Sequence, residues 1–372
     1  MATERYEVDP QQYEVSRRRF LRNAGIAAAS VPFLGGMMDV LTEKGAAAQT
    51  HRDSNNPLFA GMGSHPKYKF TFVNHVTTNT FFTATIYGLQ DAAALLGIPT
   101  PQWTGSDNSI VSDMTSAMNT AIAAHVDGIA VAIIDPKAFN GPTDTALSKG
   151  IPVVSYNADE PGNDRMAYIG QNNLTAGAAA AERIVNSGLV SKGDLVAMII
   201  ATPGTGNIQP RIDGAKPVLT KAGYSTVEVA GGANQTDELA AVPAWYLGHK
   251  DVKFMYTVDS GDSIAVAQTI EKYKLHGKVG GSGWDIGLPV LQQVQRGGLL
   301  FSIDQQAYLQ GFIPTVQLFL YNISAGLMKP CNTDTGLGYV TQATVGAYLK
   351  HKTRFEGSGT AHTSYAPPSK IG

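Results

Sequence analysis

The chain has 372 residues, 43% of them hydrophobic, and a formal net charge of −2. That is enough apolar content for one large or two ordinary packed domains, and the near-neutral balance leaves no electrostatic footprint for nucleic acid or an anionic membrane. The single cysteine, Cys331, excludes an intrachain disulfide framework, a cysteine-based metal site and lipid attachment after the leader; the eight histidines show no spacing such as HExxH.

Taken in chain order, the first pattern is a leader. Ser16-Arg17-Arg18-Arg19-Phe20-Leu21-Arg22 is followed by an uncharged stretch from Ala24 to Met38, and Lys44 precedes the small residues Ala46-Ala47-Ala48. This is the order of an export signal, of the twin-arginine type. Gly25, Pro32, Gly35 and Gly36 interrupt the apolar stretch, which argues against a membrane anchor. Residues 1–48 are therefore taken as a cleaved signal and 49–67 as a flexible segment, and the working protein is expected in the periplasm or otherwise outside the cytoplasm.

From Tyr68 onward, β-rich runs alternate with segments of helical period. Strands are predicted at Lys69–Val73, Gly128–Ile134, Pro152–Ser155 and Met166–Ile169, with Trp103 in a weaker one. Helices are predicted over Phe81–Leu96, Ile110–Val126, Thr143–Lys149 and Thr175–Asn186. The alternation restarts with strands at Leu195–Ile200, Thr226–Val229, Phe254–Val258, Val279–Trp284 and around Leu299–Ile303. Between and after them come helices at Arg211–Ala222, with Pro217 as an expected interruption, Asp237–Leu247, Ser263–Lys274, Leu288–Arg296 and from about Tyr308. Two successive βα series predict an α/β fold of two doubly wound parallel sheets. After Lys350 the composition turns to Gly, Ser, Thr, His and Pro, and 351–372 read as a surface tail.

Each strand end carries similar chemistry. Asn74, His75 and nearby Asn79; Asp135; Asn157 and Asp159; Gln171 to Asn173; Asp259; Asp285; and Asp304 to Gln306 are amides and acids, with Arg211 the main basic group. In parallel α/β sheets ligands sit outside the carboxyl ends of the strands. Amides and carboxylates beside flat rings such as Phe81, Phe82 and Trp284 suit a sugar or polyol, whose C–H face stacks while its hydroxyls hydrogen-bond. For any single residue, capping or core packing is the simpler account; the recurrence carries the argument.

Together these positions resemble the type I periplasmic binding proteins for sugars, the ribose-binding branch in particular, over Tyr68 to about Thr344. The residues that carry the likeness are Asn79-Thr80-Phe81-Phe82, Gly150–Val154 leading to Asn157, Ile169–Gly177, Arg211 after Pro203-Gly204-Thr205, Asp285 after an aromatic residue, and Gln305. The resemblance implies two lobes joined by three hinge strands, crossing near Gln171–Asn172, Asp304–Gln306 and about Tyr339–Thr341. It assigns 68–171 with 306–340 to one lobe and 172–305 with 341–350 to the other. It further implies a ligand cleft lined by His75, Asn79, Phe81, Phe82, Asn157, Arg211, Asp259, Trp284, Asp285 and Gln305. Asn157-Ala158 stands where the family commonly has Asp-Arg, which favours a neutral pentose, hexose or linear polyol over a sugar acid. Arg211, buried in such a cleft, is expected to pair with Asp285 or Asp259.

The implied function is that of the binding component of an ABC importer: a monomer with no metal or cofactor that presents its closed form to a membrane permease. A receptor passing its closed state to a chemoreceptor or kinase is the alternative. An enzyme is not expected, because Gly204-Thr205-Gly206 lacks the third glycine of GxGxxG and neither GxxxxGK[ST] nor Gly-x-Ser-x-Gly occurs. A repressor of the same two-lobe core would carry a helix-turn-helix where the leader stands.

Overall fold

The computed structural model describes residues 64–363 except Pro136, Pro161 and Ala233. The signal expected at 1–48, and residues 49–63 of the segment expected to be flexible, lie outside the described residues. The first sheet begins with β1 (Phe70–Asn74), whose residues are all buried because helices cover both faces. It is joined by β2 (Gln102–Gly105), β3 (Gly128–Val131), β4 (Val153–Tyr156), β5 (Tyr168–Gly170) and the returning β12 (Thr333–Asp334), in the order β12-β5-β4-β3-β1-β2. All of its pairings are parallel.

The second sheet has the order β7 (Ser225–Ala230), β6 (Leu195–Ile200), β8 (Val252–Thr257), β9 (Gly280–Gly281), again parallel throughout. The strand predicted at Val279–Trp284 is split into β9 and β10 (Gly283–Trp284). Its backbone bonds face both ways: the Ser282 amide donates to Met255 O at 3.1 Å, while the Gly283 amide donates to Phe301 O at 2.8 Å. A third ladder, β10-β11-β13, thus continues the second sheet, with β11 (Ser302–Asp304) parallel to β10 and β13 (Gly338–Val340) antiparallel to β11.

The helices follow from buried stripes of helical spacing. α1 (Thr83–Leu96) buries Ala84, Thr85, Gly88, Leu89, Ala92, Ala93 and Leu96 and stops at Gly97 in the left-handed region. α2 (Val111–Ala123) and α3 (Asn140–Ser148) complete the first half, and α4 (Asn173–Asn186) opens the second. α5 (Gln209–Lys221) runs unbroken through Pro217, the expected interruption, because Ile212, Ala215 and Leu219 hold it in the core. α6 (Gln235–Gly248), α7 (Ser260–Lys272), α8 (Leu288–Arg296), α9 (Ala307–Ile323) and α10 (Val345–Lys350) complete the set. Among the described residues no helix is long and apolar enough to cross a membrane.

One helix pair beside each sheet is set by glycine. A Cβ on Gly311 of α9 would lie 2.0 Å from Thr85 O of α1, and one on Gly88 would lie 2.1 Å from Tyr308 O. Gly177 of α4 and Gly214 of α5 meet Arg211 O and Leu174 O in the same way, at 2.1 and 2.0 Å. Gly311→Ala is therefore expected to push α9 off α1 and cost about 2–3 kcal/mol, the upper part of the range for overpacking. Urea unfolding reads this directly; a loss below about 0.5 kcal/mol would show that the helices separate freely.

The chain passes between the sheets three times, after β5, after β11 and after β12. These crossings lie side by side and are tied together. Thr335 N donates to Gly170 O at 3.1 Å, Gln171 Nε2 to Gly336 O at 2.9 Å, and Thr335 Oγ1 to Gln305 O at 2.9 Å. The third crossing falls a few residues before the expected Tyr339–Thr341, since Tyr339 and Val340 already pair with β11.

The first residues of the surface tail expected after Lys350 are anchored to the helices beside them. Arg354 bonds Asp91 of α1 at 2.9 and 2.8 Å and stacks on Tyr87 at 4.0 Å, while Phe355 meets Tyr308 edge-on at 5.0 Å. Arg354 and Phe355 thus tie the start of this segment to α1 and α9, while 360–363 remain exposed.

Candidate functional site

The carboxyl ends of the strands of both sheets converge on a cavity of about 90 Å³, lined by His75, Val76, Asn79, Phe81, Phe82, Asn157, Asn207, Ile208, Arg211, Asp259, Ser260, Asp285 and Gln305. An adjoining hollow of about 180 Å³ shares Phe81, Ser260 and Asp285 with it. Both are small beside the roughly 300–1,000 Å³ of clefts for drug-sized ligands, so a guest the size of a monosaccharide fits the scale. Larger hollows lie elsewhere, but they hold few of the candidate residues, and several of their polar groups are already engaged. In the one of about 560 Å³, Arg165 is paired with Asp159, and Asp334 accepts from the amides of Asn172 and Gly336.

Nine of the ten candidate residues line the small cavity. From the first sheet, Asn79 caps the 3-10 turn Thr80–Phe82, its Oδ1 accepting from Phe81 N at 2.9 Å, and so fixes the two rings, whose centroids are 4.8 Å apart. Phe82 is buried; Phe81 keeps part of its surface. His75 follows β1 with its ring edge-on to Phe82, and burial pulls its pKa down to about 4, so the imidazole is neutral at pH 7. Its Nδ1 has no hydrogen-bond partner among the described residues. Asn157 ends β4 in the left-handed region at φ 62° and donates through Nδ2 to Gln310 Oε1 at 3.0 Å.

From the second sheet comes Arg211, only 3% exposed. Its Nε donates to Asn173 Oδ1 at 2.9 Å, Nη1 to Val258 O at 2.6 Å and Nη2 to Gln305 Oε1 at 3.2 Å. Gln305, on a crossing, donates through Nε2 to Asp285 Oδ1 at 2.8 Å, and Gln310 Nε2 donates to Gln305 O at 3.1 Å. One network thus runs from Asn157 beside the first sheet, through the crossing, to Arg211 and Asp285 beside the second.

The carboxylate pairing expected for Arg211 is corrected: its bonds go to amide and carbonyl oxygens, and Gln305 stands between it and Asp285. Burial lowers the Arg211 pKa, and the charge of Asp285 opposes this most. Burial pushes Asp285 up to about 7 against the pull of Arg211 and the Gln305 hydrogen bond. Asp259 accepts from Asp262 N at 2.8 Å and Ala201 N at 3.1 Å while also lining the cavity, so it is both a helix cap and a wall.

Trp284 is the exception. Its ring is wholly buried, lies outside the cavity lining and carries the Arg211 guanidinium on its face at 4.4 Å. The stacking surface expected for a ligand is instead the platform of the arginine.

A family model of the periplasmic binding protein domain matches residues 70–321. The chain belongs to the periplasmic binding protein family. It is 42% identical over 321 residues, 82% of this chain and 78% of the relative, to the xylose/arabinose-binding protein XylF of Sulfolobus acidocaldarius. Among solved structures it is similar to an ABC transporter solute-binding protein of Burkholderia graminis in complex with D-arabinose. That likeness has 26% identity and a TM-score of 0.70 and covers 77% of this chain and 99% of that one. It also shares the fold of a carbohydrate transporter of Acidothermus cellulolyticus in complex with myo-inositol, at 24% identity and a TM-score of 0.67 over 77% of this chain and 98% of that one. Family membership implies an extracytoplasmic location and sets aside the enzyme reading.

In this periplasmic binding protein several cavity residues escape a reading of the sequence. Val76, Asn207, Ile208 and Ser260 sit in turns or at helix starts, where no periodicity marks them. Gln310 had a usable signal. It stands on the buried stripe of α9 with Ala307, Gly311, Pro314, Thr315 and Leu318, and a glutamine on such a stripe must find partners.

Proposed function

We propose that this protein is the sugar-binding component of an ABC importer and that its guest is a neutral pentose, held between the two lobes as they close about the three crossings. The observation that carries the reading is the Asn157–Gln310–Gln305–Arg211/Asp285 network, which joins both lobes through a crossing and borders the cavity. A group bonded to both ends prefers the closed form, and that preference shifts the open–closed equilibrium. The pentose assignment draws support from the relative named as xylose/arabinose-binding and from the similar structure that holds D-arabinose.

The chemistry fits such a guest. Neutral His75, Asn79 and Asn157 offer donors and acceptors to hydroxyls, Phe81 offers a partly open ring, and Asp285 and Arg211 supply charge-assisted bonds. Micromolar affinity corresponds to about −8 kcal/mol, within reach of a handful of hydrogen bonds at about 1 kcal/mol net each plus one stacked ring. Export by the twin-arginine route with cleavage after Ala48, action as a monomer, and handover of the closed form to the permease complete the reading.

A thermal-shift screen of pentoses, hexoses and inositol tests it. At a hundred times the dissociation constant, xylose or arabinose is expected to add about 2.7 kcal/mol of stability. No shift with any of these sugars would overturn the assignment.

A further inference from the structure

Asp259, which lines the sugar cavity, also belongs to a cluster of three acids whose other two members lie outside the cavity lining. Glu238 in the first turn of α6, Asp259 at the cap of α7 and Asp262 in its first turn each place a carboxylate oxygen within 4.8 Å of the others. Glu238 is 5% exposed and Asp262 0%. Both stand on stripes that otherwise serve the core, Glu238 with Val242 and Tyr246, and Asp262 with Val266 and Ile270.

All three acids stand at a helix cap or in a first turn, where the helix dipole favours them, but among the described residues only Asp259 has backbone donors on its carboxylate. Asp259 accepts backbone amides through both oxygens, as a capping carboxylate does. Asp262 is different: no amide, hydroxyl or cationic donor outside the cluster reaches either of its oxygens among the described residues, although the side chain is fully buried. A carboxylate in that position carries a large desolvation cost unless something compensates it. Among the described residues no Lys, Arg or His forms an ion pair with any of the three.

The backbone is shaped around these side chains. A Cβ on Gly231 would lie 1.8 Å from Asp262 Oδ1, and one on Gly261 would lie 1.6 Å from Glu238 Oε2. Neither glycine has a positive φ, so space for the carboxylates is what the positions require.

We propose that Glu238, Asp259 and Asp262 bind one hard divalent cation, calcium or magnesium, which clamps α6 to the start of α7. Such ions take carboxylate oxygens at roughly 2.0–2.6 Å, so ligands on one ion lie no more than about 5 Å apart, and the trio meets that limit. The absence of histidine and cysteine from the set argues against zinc or copper. Because Asp259 also lines the sugar cavity, the cation would hold that wall in place.

The test needs no sugar and so stands apart from the functional reading. Full-length mature protein stripped with EDTA is titrated with calcium chloride, and separately with magnesium chloride, by calorimetry and thermal shift at pH 7.5. The expected result is one equivalent of cation bound and a melting temperature raised by several degrees. Asp262→Asn and Glu238→Gln, which keep shape and remove charge, are each expected to weaken binding at least tenfold. If Asp262→Asn fails to fold, the wild-type titration and Glu238→Gln decide. No heat and no shift with millimolar calcium or magnesium would overturn the proposal and leave a proton shared among the acids as the compensation. Wild-type cation affinity in both variants would overturn it as well, by placing the cation elsewhere.

Discussion

Asp285→Asn is expected to lower sugar affinity at least 100-fold in calorimetry while the protein still unfolds in one cooperative step. The carboxyl uses one oxygen on Gln305 and borders both hollows of the proposed site. Hydrogen bonds from hydroxyls to a charged acceptor are worth about 1.5–3 kcal/mol each, and two of them span the expected loss. Asparagine is the cleaner variant because position 285 has φ 66°, a left-handed conformation that Asn tolerates and Ala does not. Asp285→Ala should lose binding equally, with a small added cost in stability.

The same carboxyl makes the affinity pH-dependent. Burial raises it to about 7, against roughly 3.9 in an unfolded chain, so the sugar-free fold holds a proton there through the window between. Its contribution to the stability of the sugar-free protein is full below pH about 4 and is lost as pH rises through about 7. Sugar hydroxyls donate to the ionised form, so affinity should be full above pH about 7 and fall toward tenfold per unit below it. In Asp285→Asn this slope disappears. Unchanged affinity in the variant, or the same pH profile, would remove Asp285 from the site.

The contrast between Asp285 and its neighbour Trp284 shows what a sequence can convey about such a site. Apolar runs of strand length that end in amides and acids mark the carboxyl ends of parallel strands, and those ends had to share one side of their sheets. That is why His75, Asn157, Asp259, Asp285 and Gln305, far apart in the chain, meet around one cavity. Which way each residue faces is a finer matter. Trp284 is the last residue of β10 and turns into the core under Arg211, while Asp285 lies one residue beyond the strand, where the left-handed backbone redirects the chain, and borders the cavity. Adjacency in the chain had suggested that both face the ligand.

Other parts were hidden for different reasons. The third crossing is flanked by strands of two and three residues, too short for period to register. The segment after Lys350 has a loop-like composition, yet Arg354 and His362 both reach Asp91 of α1. Gln310 and Asp262 were legible in principle, as polar residues on stripes that should be apolar. Each required asking which partner a buried polar group finds, a question that periodicity alone does not pose.

Arg211→Met is expected to abolish sugar binding and also to destabilise the second lobe, which Asp285→Asn should not do. Methionine keeps much of the length and apolar contact over Trp284 but removes three donors. Asn173 Oδ1, Val258 O and Gln305 Oε1 would each lose a bond from the guanidinium. Leaving a buried acceptor unsatisfied costs about 1–3 kcal/mol, and Gln305 retains Gln310 as a donor, so a total near 3–5 kcal/mol is reasonable. Freed from Arg211, Gln305 no longer has its amide fixed between that group and Asp285, so the crossing loses the geometry that presents Asp285 to the sugar. Arg211→Lys separates the two roles: it restores the charge beside Asp285 but cannot fork to three acceptors, so stability should recover in part while affinity stays low. Urea unfolding and calorimetry on both variants read these effects independently. Wild-type affinity in Arg211→Met at a reduced midpoint would make Arg211 a brace of the lobe and nothing more.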